Sequence, residues 1–186
     1  MNDSSDNATA ETAAVERARE AALRILERRR RTRQELDDRL RQAGHDAESR
    51  RLALERLARV GLVDDLEYAR AFLREKLPRR AVGDRVLQVD LQRRGVAAEL
   101  VRQALDELSG EMESSGGTTE RERARKALAQ LHPRYAKLDP VVARRRLCAA
   151  MARRGFSQRV VESLLANAAE EPAEEPALPP RFGRFE

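Results

Sequence analysis

Aromatic side chains are scarce in this 186-residue chain, which has four Phe, two Tyr and no Trp. Phe72, Phe156, Phe182, Phe185, Tyr68 and Tyr135 are too few to build a platform on which bases stack. β-Branched residues are sparse beside Ala, Leu, Arg and Glu, a balance that predicts an all-α fold. The single cysteine, Cys148, excludes an intramolecular disulfide framework and fits a reducing cytosol; flanked by Leu147, Ala149 and Ala150, it reads as a buried helical thiol. The two histidines, His45 and His132, are isolated, so no zinc spacing can be built. No Gly-x-x-x-x-Gly-Lys loop and no strand-borne Gly-x-Gly-x-x-Gly occurs. No long uncharged apolar run is present, and Met1 to Ala14 is polar and acidic, unlike a secretory signal. Together these absences predict a cytoplasmic protein that is not an enzyme, with no cofactor, no metal and no membrane segment.

What is present is a unit that recurs three times. It reads Leu36-x3-Leu40-x3-Gly44, Leu87-x3-Leu91-x3-Gly95 and Leu147-x3-Met151-x3-Gly155, with Leu54, Leu105 and Leu165 ten residues past each glycine. Apolar residues at i and i+4 share a helix face, and a glycine just beyond them can take the left-handed conformation that ends a helix. Each unit is therefore helix, glycine stop, helix, and the period decides the architecture. Residues 85–108 set without gaps on 145–168 share Arg85/Arg145, Leu87/Leu147, Arg93/Arg153, Arg94/Arg154, Gly95/Gly155, Val101/Val161 and Leu105/Leu165. Residues 34–57 match the same segment at Ala47/Ala98, Glu48/Glu99, Arg51/Arg102 and Leu57/Leu108, but carry Gln42-Ala43 where the other units have the double arginine.

Helix signals complete each unit as three helices. Residues 1–14 read as a disordered N-terminus, followed by helical spacing over Val15, Ala18, Ala22, Ile25 and Leu26 up to the run Arg28–Arg31. Thr32 to Glu35 forms a capping box, Asp46 caps the next helix, and repeat 1 spans 15–62. Asp64-Asp65-Leu66-Glu67 opens repeat 2, 63–108; this acidic pair favours helix amides and dipole rather than a metal. Pro78 ends its first helix, and the other two are expected over 82–95 and 97–108. Residues 109–117, rich in Ser and Gly, read as a flexible linker. Thr119 to Glu122 and Asp139-Pro140 open two helices of repeat 3, 118–169, with Pro133 ending or kinking the first. Residues 170–186, proline-rich and acidic, read as a disordered tail.

The net charge of +5 is unevenly spread. Residues 1–14 and 170–186 carry −3 each, leaving +11 on the body from 15 to 169. Of 37 basic residues 34 are arginine, whose planar fork suits phosphate or carboxylate. Such a body points to a polyanion or an acidic protein surface. The candidate partner or DNA-binding residues are Arg28, Arg29, Arg30, Arg31 and Arg33; Arg79 and Arg80; Arg93 and Arg94; and Arg144, Arg145, Arg146, Arg153, Arg154 and Arg159. The duplicated Arg-Arg-Gly places like patches at regular intervals, as a spaced binding surface would.

Thr32-x2-Glu35-Leu36-x3-Leu40-x3-Gly44, followed by Leu57-x3-Gly61-Leu62-Val63-Asp64-Asp65-x2-Tyr68-Ala69-x2-Phe72, resembles the bacterial regulatory protein RecX family over about residues 15–168. The resemblance implies an elongated, curved array of three tandem three-helix repeats that acts as a monomer. It implies binding in the groove of the RecA–DNA filament across neighbouring RecA subunits, with arginines near single- or double-stranded DNA phosphates. It also implies restraint of strand exchange, ATP hydrolysis and coprotease activity, with no catalytic group of its own. The acidic proline-rich extension and the Gly-Gly segment before repeat 3 depart from the family pattern. The alternative is a stand-alone DNA-binding protein of helix-turn-helix-like units. Against it, the helices after Gly44 and Gly95 start Asp46-Ala47-Glu48 and Ala97-Ala98-Glu99, and acidic first turns oppose groove entry; Ser157, Gln158 and Arg159 after Gly155 fit better.

Overall fold

The computed structural model describes residues 3–78, 81–115 and 119–170, and those residues form nine helices and no strand. Repeat 1 is α1 (Asp3–Leu26), α2 (Arg33–Gln42) and α3 (Ala47–Arg59). Repeat 2 is α4 (Asp65–Lys76), α5 (Asp84–Gln92) and α6 (Ala98–Ser115); repeat 3 is α7 (Glu120–Tyr135), α8 (Pro140–Arg153) and α9 (Gln158–Glu170).

The repeated glycines do what their spacing predicts. Gly44, Gly95 and Gly155 have φ of 86°, 84° and 80°. In each case the next amide bonds five residues back, to the carbonyl of the second Leu or Met of the pattern: His45 to Leu40 at 3.1 Å, Val96 to Leu91 at 3.2 Å, Phe156 to Met151 at 3.2 Å. This is a Schellman close, which satisfies carbonyls that the helix end would otherwise strand. Helix starts are set by Asp46, Asp64, Thr119 and Asp139, each accepting from an amide two or three residues on. Thr119 and Glu122 complete a reciprocal capping box.

The buried Leu, Ala and Val positions gather into a separate core for each repeat. Leu36, Leu40, Leu54 and Leu57 pack with Ala22 in repeat 1, and Leu73, Leu87, Leu91, Val101 and Leu105 pack in repeat 2. Ala124, Ala127, Leu147, Met151, Phe156 and Val161 pack in repeat 3. Helix-on-helix packing runs within repeats, as expected of a quasi-one-dimensional array.

Two helices run further than the sequence reading placed them. Helix α1 starts at Asp3, inside the segment 1–14 that the sequence reading places before the first repeat. The alanines at 10, 13 and 14 favour helix. The expected linker is helical as far as Ser115, because α6 stays paired with α4: Arg70 holds Glu107 at 2.7 Å and Arg74 holds Glu111 at 3.3 Å. Pro133 stands in the last turn of α7, which ends two residues on at Tyr135; there it forfeits only one hydrogen bond of the helix. Residues 1–2, 116–118 and 171–186 lie outside the described residues, as do Arg79 and Arg80.

Candidate functional site

The three cores are joined by a contact built twice from the same parts. The second helix of a repeat presents its N-terminus to the glycine corner that closes the second helix of the following repeat. At the first joint the Thr32 hydroxyl, already accepting from the Glu35 amide at 3.1 Å, donates to the Arg94 carbonyl at 2.5 Å. At the second joint Gly83, at the position matching Thr32, donates its amide to the Arg154 carbonyl at 2.9 Å, and the Arg85 amide reaches the Gly155 carbonyl at 3.2 Å. Donors at one helix start, a hydroxyl at the first joint and amides at the second, thus satisfy orphan carbonyls at another helix end. Gly83 is needed for closeness rather than for φ, since a Cβ there would lie 2.1 Å from the Gly155 oxygen.

Charges complete each joint. At the first, Arg94 donates to Glu35 at 3.2 Å and to the Tyr68 hydroxyl at 3.1 Å, and its guanidinium lies 5.4 Å from the centre of the Phe72 ring. Arg31 meets the other oxygen of Glu35 at 3.3 Å, and Arg30 approaches Glu67 at 3.6 Å. Glu35 therefore does not return to cap its own helix; two arginines occupy it. The acidic pair divides its work: Asp64 caps α4, whereas Asp65 accepts from the Arg33 amide at 2.8 Å and so caps α2 of the neighbouring repeat. Burial holds the Asp65 carboxyl above its usual range, against the pull of the Arg33 amide and guanidinium. At the second joint Arg123, only 4 % exposed, pairs with Asp84 and donates to the Val82 carbonyl. Burial raises Asp84 and lowers Arg123, so desolvation opposes both charges.

The candidate arginines therefore sort into two groups. Arg30, Arg31 and Arg94 are ion-paired at the first joint, and Arg33 and Arg154 lend their main chains to the joints. Arg28, Arg29, Arg93, Arg144, Arg145, Arg146, Arg153 and Arg159 are exposed and form no ion pair among the described residues. The first unit's corner, Gln42-Ala43-Gly44, meets no preceding repeat among the described residues, and a Cβ on Gly44 would touch nothing within 4 Å. The structure also brings together residues that the sequence did not single out. A groove at the first joint is lined by Arg29, Arg30, Arg31 and Arg94 with Lys76, Phe72 and Tyr68. A larger cleft at the second joint has walls of α5, α8 and α9, and half-buried Cys148 lines it. There Glu120 accepts from the Ser157 amide at 3.2 Å and hydroxyl at 3.3 Å, and Gln158 donates to Glu162 at 2.7 Å. The start of α9 thus has Arg159 free and its neighbours occupied. Among the described residues no group of three metal-ligating side chains occurs, and no helix is long and apolar enough to cross a membrane.

Comparison with known proteins follows the same threefold division. Family models of the first, second and third three-helix domains of RecX match residues 18–57, 64–105 and 119–165. The Regulatory protein RecX of Mycobacterium sp. (strain JLS) is 35 % identical over 148 residues, 77 % of this chain and 76 % of that protein. The Regulatory protein RecX of Mycobacterium avium (strain 104) is 32 % identical over 165 residues, 88 % and 91 % of the two chains. The crystal structure of RecX from Lactobacillus salivarius shares the fold, with a TM-score of 0.75 at 19 % identity over 86 % of this chain and 99 % of that one. With all three domain models matched in order and relatives aligned over most of their length, the chain belongs to the RecX family of regulatory proteins.

Proposed function

We infer that this chain regulates a RecA recombinase by binding its DNA filament and restraining strand exchange, ATP hydrolysis and coprotease activity. The observation that carries this reading is the distribution of free arginines. They occur on all three repeats, at Arg28 and Arg29, at Arg93, and at Arg144–Arg146, Arg153 and Arg159. An array of cations on repeated units suits a partner that is itself periodic and anionic. Such a regulator acts by binding one filament state better than another, which needs no catalytic group. Stand-alone helix-turn-helix readout has less support, because Ser157 and Gln158, the best candidates for base contacts, are already held by Glu120 and Glu162.

The test is inhibition of RecA ATP hydrolysis on single-stranded DNA. Arg93→Ala with Arg153→Ala removes two free arginines without touching a joint, and Arg144→Ala with Arg145→Ala removes two more. Each pair is expected to weaken inhibition by about tenfold, on the scale of one or two charge-assisted contacts, with helical content unchanged. Wild-type inhibition by both variants would remove these arginines from the interface. Arg94 is excluded from this test because its loss also disturbs the first joint.

A further inference from the structure

The groove at the first joint holds more cation than its own carboxylates neutralise. Arg29, Arg30, Arg31, Arg94 and Lys76 face it, against Glu35 and Glu75, with Glu67 beside Arg30 at 3.6 Å. Glu35 is divided between Arg31 and Arg94, and Glu75 is taken by Lys76 at 2.8 Å. Arg94 and Lys76 are both held near one ring, 5.4 and 5.9 Å from the centre of Phe72, so two like charges converge on the groove floor. The Arg31 side chain is only 11 % exposed, and its Nε is buried with no acceptor among the described residues. A buried guanidinium N–H without an acceptor is a costly arrangement, and it shows that the carboxylates beside Arg31 do not meet all of its donors. The groove encloses about 390 Å³, room for a phosphate group and ordered water.

We propose that this groove is a phosphate-binding site in which Arg29, Arg31, Arg94 and Lys76 take one phosphate group of a nucleic-acid backbone, with Glu35 as the internal anion it competes with. The assignment rests on the filament-regulator reading only for the source of the phosphate; the site itself follows from the cations. Phosphate is favoured over a partner's carboxylate because the groove already holds two carboxylates and still leaves a buried donor unmet. Guanidinium forks also match phosphate oxygens in pairs. Arg94 belongs to the first joint as well, so binding here also acts on the contact between repeats 1 and 2.

The experiment measures binding of a fluorescent oligothymidylate to the full chain, without RecA, across a salt series. Arg29→Ala and Lys76→Gln remove cations that hold no repeat in place. Each is expected to weaken binding about fivefold and to reduce the salt slope by about one, with the melting temperature unchanged. Glu35→Gln should tighten binding, and its melting temperature reports separately on the joint. Competition by tripolyphosphate is expected. If tripolyphosphate binds and oligothymidylate does not, with the same sensitivity to Lys76→Gln, the site stands and its source is a free phosphate. Unaltered affinity and salt slope in both cation variants overturn the site, as does competition by polyglutamate but not by tripolyphosphate. Because RecA is absent, failure here leaves filament regulation through the other arginines intact, and failure of that regulation leaves this measurement standing.

Discussion

Arg123 shows how much a single side chain can decide. It is the one arginine among the buried polar residues of the described chain, and Asp84 and the Val82 carbonyl lie across a repeat boundary from it. Burial works against both charges, so the pair contributes more to the geometry of the joint than to net stability. Arg123→Met removes the group that draws the Asp84 value down and leaves a half-buried carboxylate alone; at neutral pH it should cost about 3 kcal/mol. The cost should depend on pH. In the variant the Asp84 value rises further above its unfolded one, so the folded chain binds that proton more tightly than the unfolded chain. Stability from that proton is present below the unfolded carboxylate range and is lost as pH rises through the folded value. Urea unfolding should therefore show a larger deficit at neutral pH than in the acid range. Adding Asp84→Asn should recover part of it in a double-mutant cycle.

Among the elements, the second helix of each repeat carries the architecture, since it supplies the core leucines, the glycine corner and both faces of a joint. The glycines then separate by what surrounds them. Gly44→Ala meets open space and pays only for a positive φ, about 1 kcal/mol. Gly155→Ala pays that and also places its Cβ 2.7 Å from the backbone nitrogen of Val86, while Gly83→Ala at ordinary φ collides with the Gly155 carbonyl. Both should cost at least twice as much as Gly44→Ala in denaturant unfolding. They should also increase protease cleavage between repeats 2 and 3 more than within them. The helices, their glycine stops and five N-caps, at Thr32, Asp46, Asp64, Thr119 and Asp139, were legible in the sequence because each depends on residues within five positions of one another. The joints were not legible. Thr32 and Arg94 are 62 residues apart, and nothing local distinguishes an arginine that pairs with Glu35 from one that waits for a partner. The one available signal was the missing double arginine in the first unit, since one of the two matching residues in the second unit, Arg94, pairs across the first joint. The helical course of 109–115 was hidden for the same reason, since the Arg74–Glu111 pair spans 37 residues.

Across the whole molecule the two joints form a series, and both ends of the series are altered. The free corner of repeat 1 lacks its arginines. The free face of repeat 3 is changed more thoroughly: α8 starts a turn earlier than the matching register in α5, at Pro140, and Val141 stands 76 % exposed. Arg144, Arg145 and Arg146 take the positions that Arg33, Gln34 and Glu35 hold in repeat 1 and Asp84, Arg85 and Val86 hold in repeat 2. The acids that receive an arginine at each internal joint, Glu35 and Asp84, are thus replaced at the end by cations. A second copy offering a glycine corner would find a lengthened helix and no carboxylate, so the head-to-tail contact that builds the array should not continue from one chain to the next. An unclosed contact of that kind would otherwise propagate into a fibre. Sedimentation equilibrium should therefore give the mass of one chain throughout the micromolar range, at low salt as well as high. Giving the two ends the match of the Arg94–Glu35 contact, by Ala43→Arg with Arg146→Glu, and removing a further cation by Arg144→Asp, should raise self-association in a salt-sensitive way. Concentration-dependent chains of the wild-type protein would show that the altered ends do not stop the array. The same reversal at Arg144 and Arg146 should reduce inhibition of RecA, because it removes the largest cluster of free cations while leaving both internal joints untouched.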